Sequence, residues 1–135
     1  MRVVGCFLFD NDRFLILLRR ADKSQGNTWG LPAGKVHDEE SDRDAMVREL
    51  GEETGYFARR DELTSLGVHT NIFPDVRFDF PTFRVDLSAS FNPILNPDEH
   101  TDYRWVTAAE CDALPNLIHG FHDLLRWAGF VQRDD

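Results

Sequence analysis

The chain reads as a mixed α+β domain covering residues 1–135, and three observations point there. Val3 to Phe9 and Phe14 to Leu18 are near-continuous apolar runs of strand length, parted by the turn residues Asp10, Asn11 and Asp12. Ser41 to Thr54 carries apolar residues at helical spacing. Leu63 to Phe73 and Val76 to Leu87 are again strand-like, and a second helical pattern closes the chain. Strands, helix, strands, helix is the order of a mixed α+β fold.

The first two runs predict a β-hairpin that continues into Arg19-Arg20. ADKSQGNTWGLPAGK is rich in Gly, Ser, Asn and Pro, and predicts mostly loop. Ser41 or Asp42 is placed to cap the first helix, and Gly55 to stop it. Pro74-Asp75 joins the next two strands, and Pro81 predicts an edge or a bulge in the second. SASFNPILNPDEHTD predicts a long loop, and Tyr103 to Val106 a short strand. Thr107-Ala-Ala-Glu110 has the form of a capping box. The last helix is expected from Ile118 to Ala128, stopped by Gly129.

Composition narrows the function. A length of 135 residues suffices for a core without staples, and a net charge of -9 argues against a nucleic-acid polymer as partner. Cys6 and Cys111 lie far apart in apolar surroundings and read as reduced core residues of a cytoplasmic protein. MRVVGCFLFDNDR is charged too soon for a signal peptide, and no apolar run is long enough to span a membrane. A homodimer is one assembly open to such a chain.

The chemistry concentrates in RELGEETG, residues 48 to 55. Glu49 stands three and four residues before Glu52 and Glu53, so like charges share one helix face. They also crowd the negative end of the helix dipole, just before Gly55. On a helical wheel Met46, Val47, Leu50 and Thr54 form a docking face. Asp42, Glu49, Glu52 and Glu53 form a separate arc, with Ala45 leaving room above it and Arg48 at its flank. One reading is a solvated acidic face. The other is a site for a hard cation, Mg²⁺ or Mn²⁺, which prefers oxygen ligands and keeps waters for a phosphate. A calcium loop does not fit acids that lie within a helix.

From Gly34 to Tyr56 the chain reads GKVHDEESDRDAMVRELGEETGY. Gly34, Glu40, Arg48, Glu49, Leu50, Glu52, Glu53, Gly55 and Tyr56 stand in the register of the Nudix box, so the sequence resembles the Nudix hydrolase family. Tyr56 occupies a position usually aliphatic. TWGLPAG resembles the family's approach to the box, with Ala33 replacing a glycine. DEHTDYRWVTAAE resembles its last strand and following helix. The resemblance implies an α/β/α sandwich with a mixed sheet and a loop-helix-loop box. It implies hydrolysis of a nucleoside diphosphate linked to another group, with Mg²⁺ or Mn²⁺ as cofactor and a small nucleotide as partner. By position, Glu49, Glu52, Glu53 and the Ala33 carbonyl would bind metal. Glu49 and Glu53 would be catalytic, Arg48 would orient Glu49, and Glu40 would act behind them or through a metal-bound water.

Around the box, Glu99 is either a further metal ligand or base, or a plain loop acid. Lys35 and Arg20 are candidates to grip phosphate, against the alternative of surface cations. Trp29 either stacks on a base or anchors its loop. Phe73, Phe78, Phe80 and Phe83 include candidates for base stacking, although strand aromatics are mostly core. Within the resemblance a (deoxy)nucleoside triphosphate is the first substrate class. ADP-ribose or a nucleotide sugar is the second, since LPAG also occurs in relatives that cleave ADP-ribose. A non-catalytic nucleotide-sensing module is the rival from another class; such modules lose box glutamates, and this chain keeps them.

Overall fold

A computed structural model describes residues 1–72 and 77–132. In chain order the elements are β1 (Val3–Asp10), β2 (Arg13–Arg19), β3 (Trp29–Gly30), β4 (Ala33–Lys35), α1 (Asp42–Thr54), β5 (Thr64–Ile72), β6 (Arg77–Asp86), β7 (His100–Val106), α2 (Ala108–Asp112) and α3 (Phe121–Trp127). They form a seven-stranded mixed sheet in the order β3-β2-β1-β6-β5, with β4 pairing β1 and β7 pairing β2. β1 and β6 run parallel, from Gly5 opposite Thr82 to Phe9 opposite Asp86. The other pairs are antiparallel.

The apolar runs of β1 and β2 are continuous because both of their faces are buried. Successive side chains point to opposite faces, and the core divides accordingly. Val4, Cys6, Leu8, Leu15 and Leu17 pack with Ala45, Met46 and Leu50 of α1. Phe7, Phe9, Phe14 and Ile16 pack on the other face with Phe121, Leu124 and Leu125 of α3. That is the helix-sheet-helix layering expected from the sequence. Cys6 and Cys111 are free and buried. Ser41 caps α1, its Oγ accepting the Asp44 N–H at 3.1 Å, and Gly55 ends it at φ 75°.

Several boundaries differ from expectation, each for a reason outside local sequence. The 21–35 segment is mostly loop, as expected, but it holds two short strands: Gly30 pairs with Leu17, and Ala33 with Gly5. Both partners are remote, so Gly and Pro content alone hid two short strands. β7 starts at His100, because His100 pairs with Arg19 beyond a bulge. α3 starts at Phe121, because Gly120 is left-handed at φ 86° and the Ile118 N–H is committed to the Trp29 carbonyl. β6 is not an edge strand; it lies between β1 and β5. Pro81 pairs with Val68 of β5; on its β1 side it falls between an isolated bridge at Asp79 and the ladder that begins at Thr82, where a missing N–H breaks no run of pairs. The irregularity lies just beyond that pair, at Ser65–Gly67 of β5, opposite Phe83 and Thr82. The Pro74-Asp75 connection and Phe73 lie outside the described residues.

Candidate active site

α1 lies against β4, which brings the second half of the helix to Ala33 and Gly34. A Cβ on Gly34 would overlap the Glu49 carboxyl group, so glycine is what lets that side chain lie across the strand. Glu53 is 7% exposed, and its Oε1 accepts the Ala33 N–H at 2.7 Å. Ala33 thus meets Glu53 through its N–H.

Arg48 stands at the centre of the acids. Its Nε and Nη2 donate to the two oxygens of Glu40, each at 2.9 Å. Nη2 also reaches the Lys35 carbonyl at 3.0 Å, and Nη1 donates to Glu49 Oε1 at 2.8 Å. Glu52, the most exposed of the set, is 3.3 Å from Nη1. These bonds hold the Glu40 carboxyl down to about 2 and keep the guanidinium charged. Asp42 is not part of the arc, because Arg2 takes both of its oxygens at 2.8 and 2.9 Å. Ala45 leaves no room above the acids either; it is fully buried in the core.

Burial pushes the Glu53 carboxyl well above its ordinary value, and the charges of Glu49 and Glu99 push it further. Burial also raises Glu49, against the opposing bond from Arg48. Beside Glu53 lies His100, a buried residue at the start of β7, within the segment whose sequence predicts loop. Its Nδ1 is 3.6 Å from Glu53 Oε2, too long for a hydrogen bond, and has no other partner among the described residues. Burial, with the charge of Arg19 adding, lowers this imidazole to about 4.

The candidate grips divide. Arg20 turns away to Asp22, at 3.0 Å, and to the Pro97 carbonyl, so it clamps one loop to another. Its neighbour Arg19 lines the cavity beside Glu53, as Lys35 does. Glu99 is half exposed, 3.6 Å from the Lys23 ammonium. Trp29 is buried under Arg104 and anchors its loop. Phe83 is core beneath Arg43, whereas Phe78 and Phe80 face the cavity.

Among the described residues no three His, Cys, Asp or Glu side chains are gathered into a ready cation site, because Arg48 and the Ala33 N–H hold the carboxylates. The donor chemistry nevertheless fits Mg²⁺ or Mn²⁺. Glu49, Glu52 and Glu53 offer only oxygen, and Glu53 is a buried acid with like charges nearby and no cation bonded to it. From Glu53 a cavity of about 600 Å³ runs past Leu31 and Phe80 to Asn71, Ile118 and Phe121. No helix among the described residues is long and apolar enough to cross a membrane.

The fold and this carboxylate box define a class, and comparison names it. The NUDIX domain model matches residues 1–128, and the chain belongs to the Nudix family. It is similar to the 8-oxo-dGTP diphosphatase of Escherichia coli, 30% identical over 62% of this chain and 58% of that one. It is also similar to Isopentenyl-diphosphate Delta-isomerase 2 of Photorhabdus laumondii, 31% identical over 85% of this chain and 67% of that one. A MutT NUDIX hydrolase structure from Burkholderia pseudomallei superposes with a TM-score of 0.76 at 28% identity, covering 93% and 95% of the two chains. The chain spans about half the length of curated relatives it matches, 45% of one from Mycobacterium tuberculosis.

Proposed function

We propose that the chain is a metal-dependent hydrolase of the diphosphate linkage in nucleoside diphosphate derivatives, with (deoxy)nucleoside triphosphates as the first substrate class. The observation that carries this reading is buried Glu53 at one end of a mostly apolar cavity, with the Glu49 carboxyl beside it against Gly34, a residue that also lines the cavity. In this reading Glu49, Glu52, Glu53 and the Ala33 carbonyl hold Mg²⁺ or Mn²⁺, with Glu99 as a further oxygen donor. When bound, the ion neutralises the diphosphate and polarises phosphorus and water. Arg48 fixes the Glu49 carboxylate through Nη1 while Glu40 fixes Arg48. Glu49 and Glu53 hold protons more tightly than ordinary glutamates, which suits a base that takes a proton from water. Lys35, and Arg19 in place of Arg20, supply cations for phosphate oxygens. The bulk of the cavity then receives the nucleoside.

The similarity to an isomerase of an alkyl diphosphate favours a second reading, in which the apolar cavity holds a hydrocarbon group. A single screen separates them. (Deoxy)nucleoside triphosphates, including 8-oxo-dGTP, are incubated with Mg²⁺ or Mn²⁺ alongside ADP-ribose and isopentenyl diphosphate. Pyrophosphate release from a nucleotide, lost with EDTA, is the expected result. No phosphate or pyrophosphate from any nucleotide, with double-bond migration in isopentenyl diphosphate, would sink the hydrolase reading.

A further inference from the structure

The far end of the cavity holds a polar group that the packing does not use. Asn71 lies on β5, the edge strand of the sheet, opposite Phe78 of β6. His69, Asn71, Phe78 and Phe80 therefore share one sheet face. His69 on that face is held through its Nε2, 3.0 Å from Asp123 of α3, while its Nδ1 is buried without a partner among the described residues and His69 does not line the cavity. The Asn71 carboxamide makes no side-chain hydrogen bond among the described residues, and it lines the cavity. Gly120 keeps it accessible. A Cβ there would lie 2.7 Å from Asn71 Oδ1, and the backbone is left-handed as well.

The cavity has the form of a slot. Phe78 and Phe80 form one wall, and Ile118, Phe121 and Leu124 the other. Glu53 meets β4 at one end, and Asn71 closes the other on β5. Between them the strands stand in the order β4-β1-β6-β5. Three strand spacings amount to roughly 14 Å. A ligand with its diphosphate at the carboxylates must be long to reach Asn71, and its far end must be flat and polar at the edge. A short alkyl diphosphate satisfies neither condition.

We propose that Asn71 is the residue that reads the substrate's ring: its carboxamide pairs with an adjacent donor and acceptor on the edge of a heteroaromatic base held between Phe78, Phe80 and the α3 wall. A carboxamide carries one donor group beside one acceptor, so it matches a mixed edge and leaves an all-acceptor edge half-paired. This proposal rests on the nucleotide reading above, and it adds the residue that confers base preference. Leaving such a group unpaired is what makes polar pockets selective, where apolar walls alone discriminate weakly.

The test measures equilibrium binding of AMP, GMP, CMP, UMP and purine riboside 5′-monophosphate to the metal-free protein by calorimetry. Purine riboside has ring acceptors and no exocyclic donor. The proteins are wild type, Asn71→Leu and Asn71→Asp, each first checked for an unchanged melting transition. Asn71→Asp keeps the shape if Asn71→Leu disturbs the fold. Wild type is expected to bind its preferred base more tightly than purine riboside monophosphate by roughly tenfold to a hundredfold. In Asn71→Leu that ratio collapses, and in Asn71→Asp the order of bases changes. Unchanged ratios in both variants overturn the proposal, as does wild type that binds none of the monophosphates. Triphosphate hydrolysis by the same preparations is scored separately. Its absence alongside an Asn71-dependent base preference overturns the hydrolase reading and leaves the assignment of Asn71 standing.

Discussion

At the junction of α1 and β4, the carboxyl groups of Glu40, Glu49 and Glu52 share one guanidinium, that of Arg48, while Glu53 is bonded to the Ala33 N–H. At the α3 end of the same cavity, aromatic and aliphatic walls stand beside His119 and the Asn71 carboxamide, which makes no side-chain hydrogen bond among the described residues. The first region is overcharged and tightly bonded; the second is nearly neutral and sparsely bonded. Repulsion at the first end lowers stability unless a cation arrives, so it has the character of a reactive centre. The second end carries no such cluster of like charge among the described residues, and in our reading its work is to fit a shape. One end is suited to chemistry and the other to selection, and each can be perturbed with little effect on the other.

The largest expected effect comes from the charged end. Glu49→Gln keeps the shape and removes the charge. Turnover should fall by roughly 10²-fold or more. The metal-free protein should melt no lower than wild type, since repulsion from Glu52 and Glu53 is relieved at about 0.2–0.5 kcal/mol per pair. Steady-state hydrolysis and metal-free calorimetry on both proteins check this. A lower melting temperature with a proportionate loss of activity would make Glu49 a structural residue and erase the contrast between the ends.

Arg48→Lys should come next. Lysine keeps the charge but cannot pair with both Glu40 oxygens while holding Glu49 and the Lys35 carbonyl. The expected loss is about 1–3 kcal/mol of stability, together with a fall in turnover that added Mg²⁺ does not restore. Wild-type turnover in a folded variant would reduce Arg48 to a surface ion-pair partner.

The pH dependence of the metal-free protein sharpens the comparison further. Glu49 and Glu53 are raised above the ordinary 4.5, so their contribution is full below that pH. It is lost as pH rises through their folded values. His100, lowered from 6.5 to about 4, acts oppositely: its contribution is present above 6.5 and lost as pH falls toward 4. The two trends overlap, so the informative quantity is a difference. Wild type minus Glu53→Gln in melting temperature should decline as pH rises above 4.5. Millimolar Mg²⁺ should reverse the decline at neutral pH by binding the folded state. A flat difference would show that Glu53 is not under electrostatic load.

The smallest effect is expected at the α3 end. Asp123→Asn weakens the pair with His69, but Asp123 is largely exposed, and such pairs contribute about 0–1 kcal/mol. Thermal melting should shift by at most a few degrees, with hydrolysis barely changed. A large loss of turnover would mean that α3 does more than form a wall.

The box was legible because its chemistry is local. Glu40, Arg48, Glu49, Glu52 and Glu53 lie within one loop and one helix, and helical spacing alone stacks the last three acids. The layering came with the family resemblance, and runs such as Val4 to Leu8 agree with it, being continuous because both sheet faces are covered. Long-range pairing decided the rest. No local rule indicates that Arg2 removes Asp42 from the acid arc, or that Arg19 and not Arg20 faces the cavity. His100 stands beside Glu53 only because β7 pairs with β2 past the bulge at Arg19. Asn71 meets Gly120 only because β5 and α3 pack together, across a stretch of chain that carries no motif. Sequence determines what depends on neighbours a few residues apart, which here is the reactive end. The selecting end is assembled from β1, β5, β6 and α3, and its shape exists only once the sheet has brought them together.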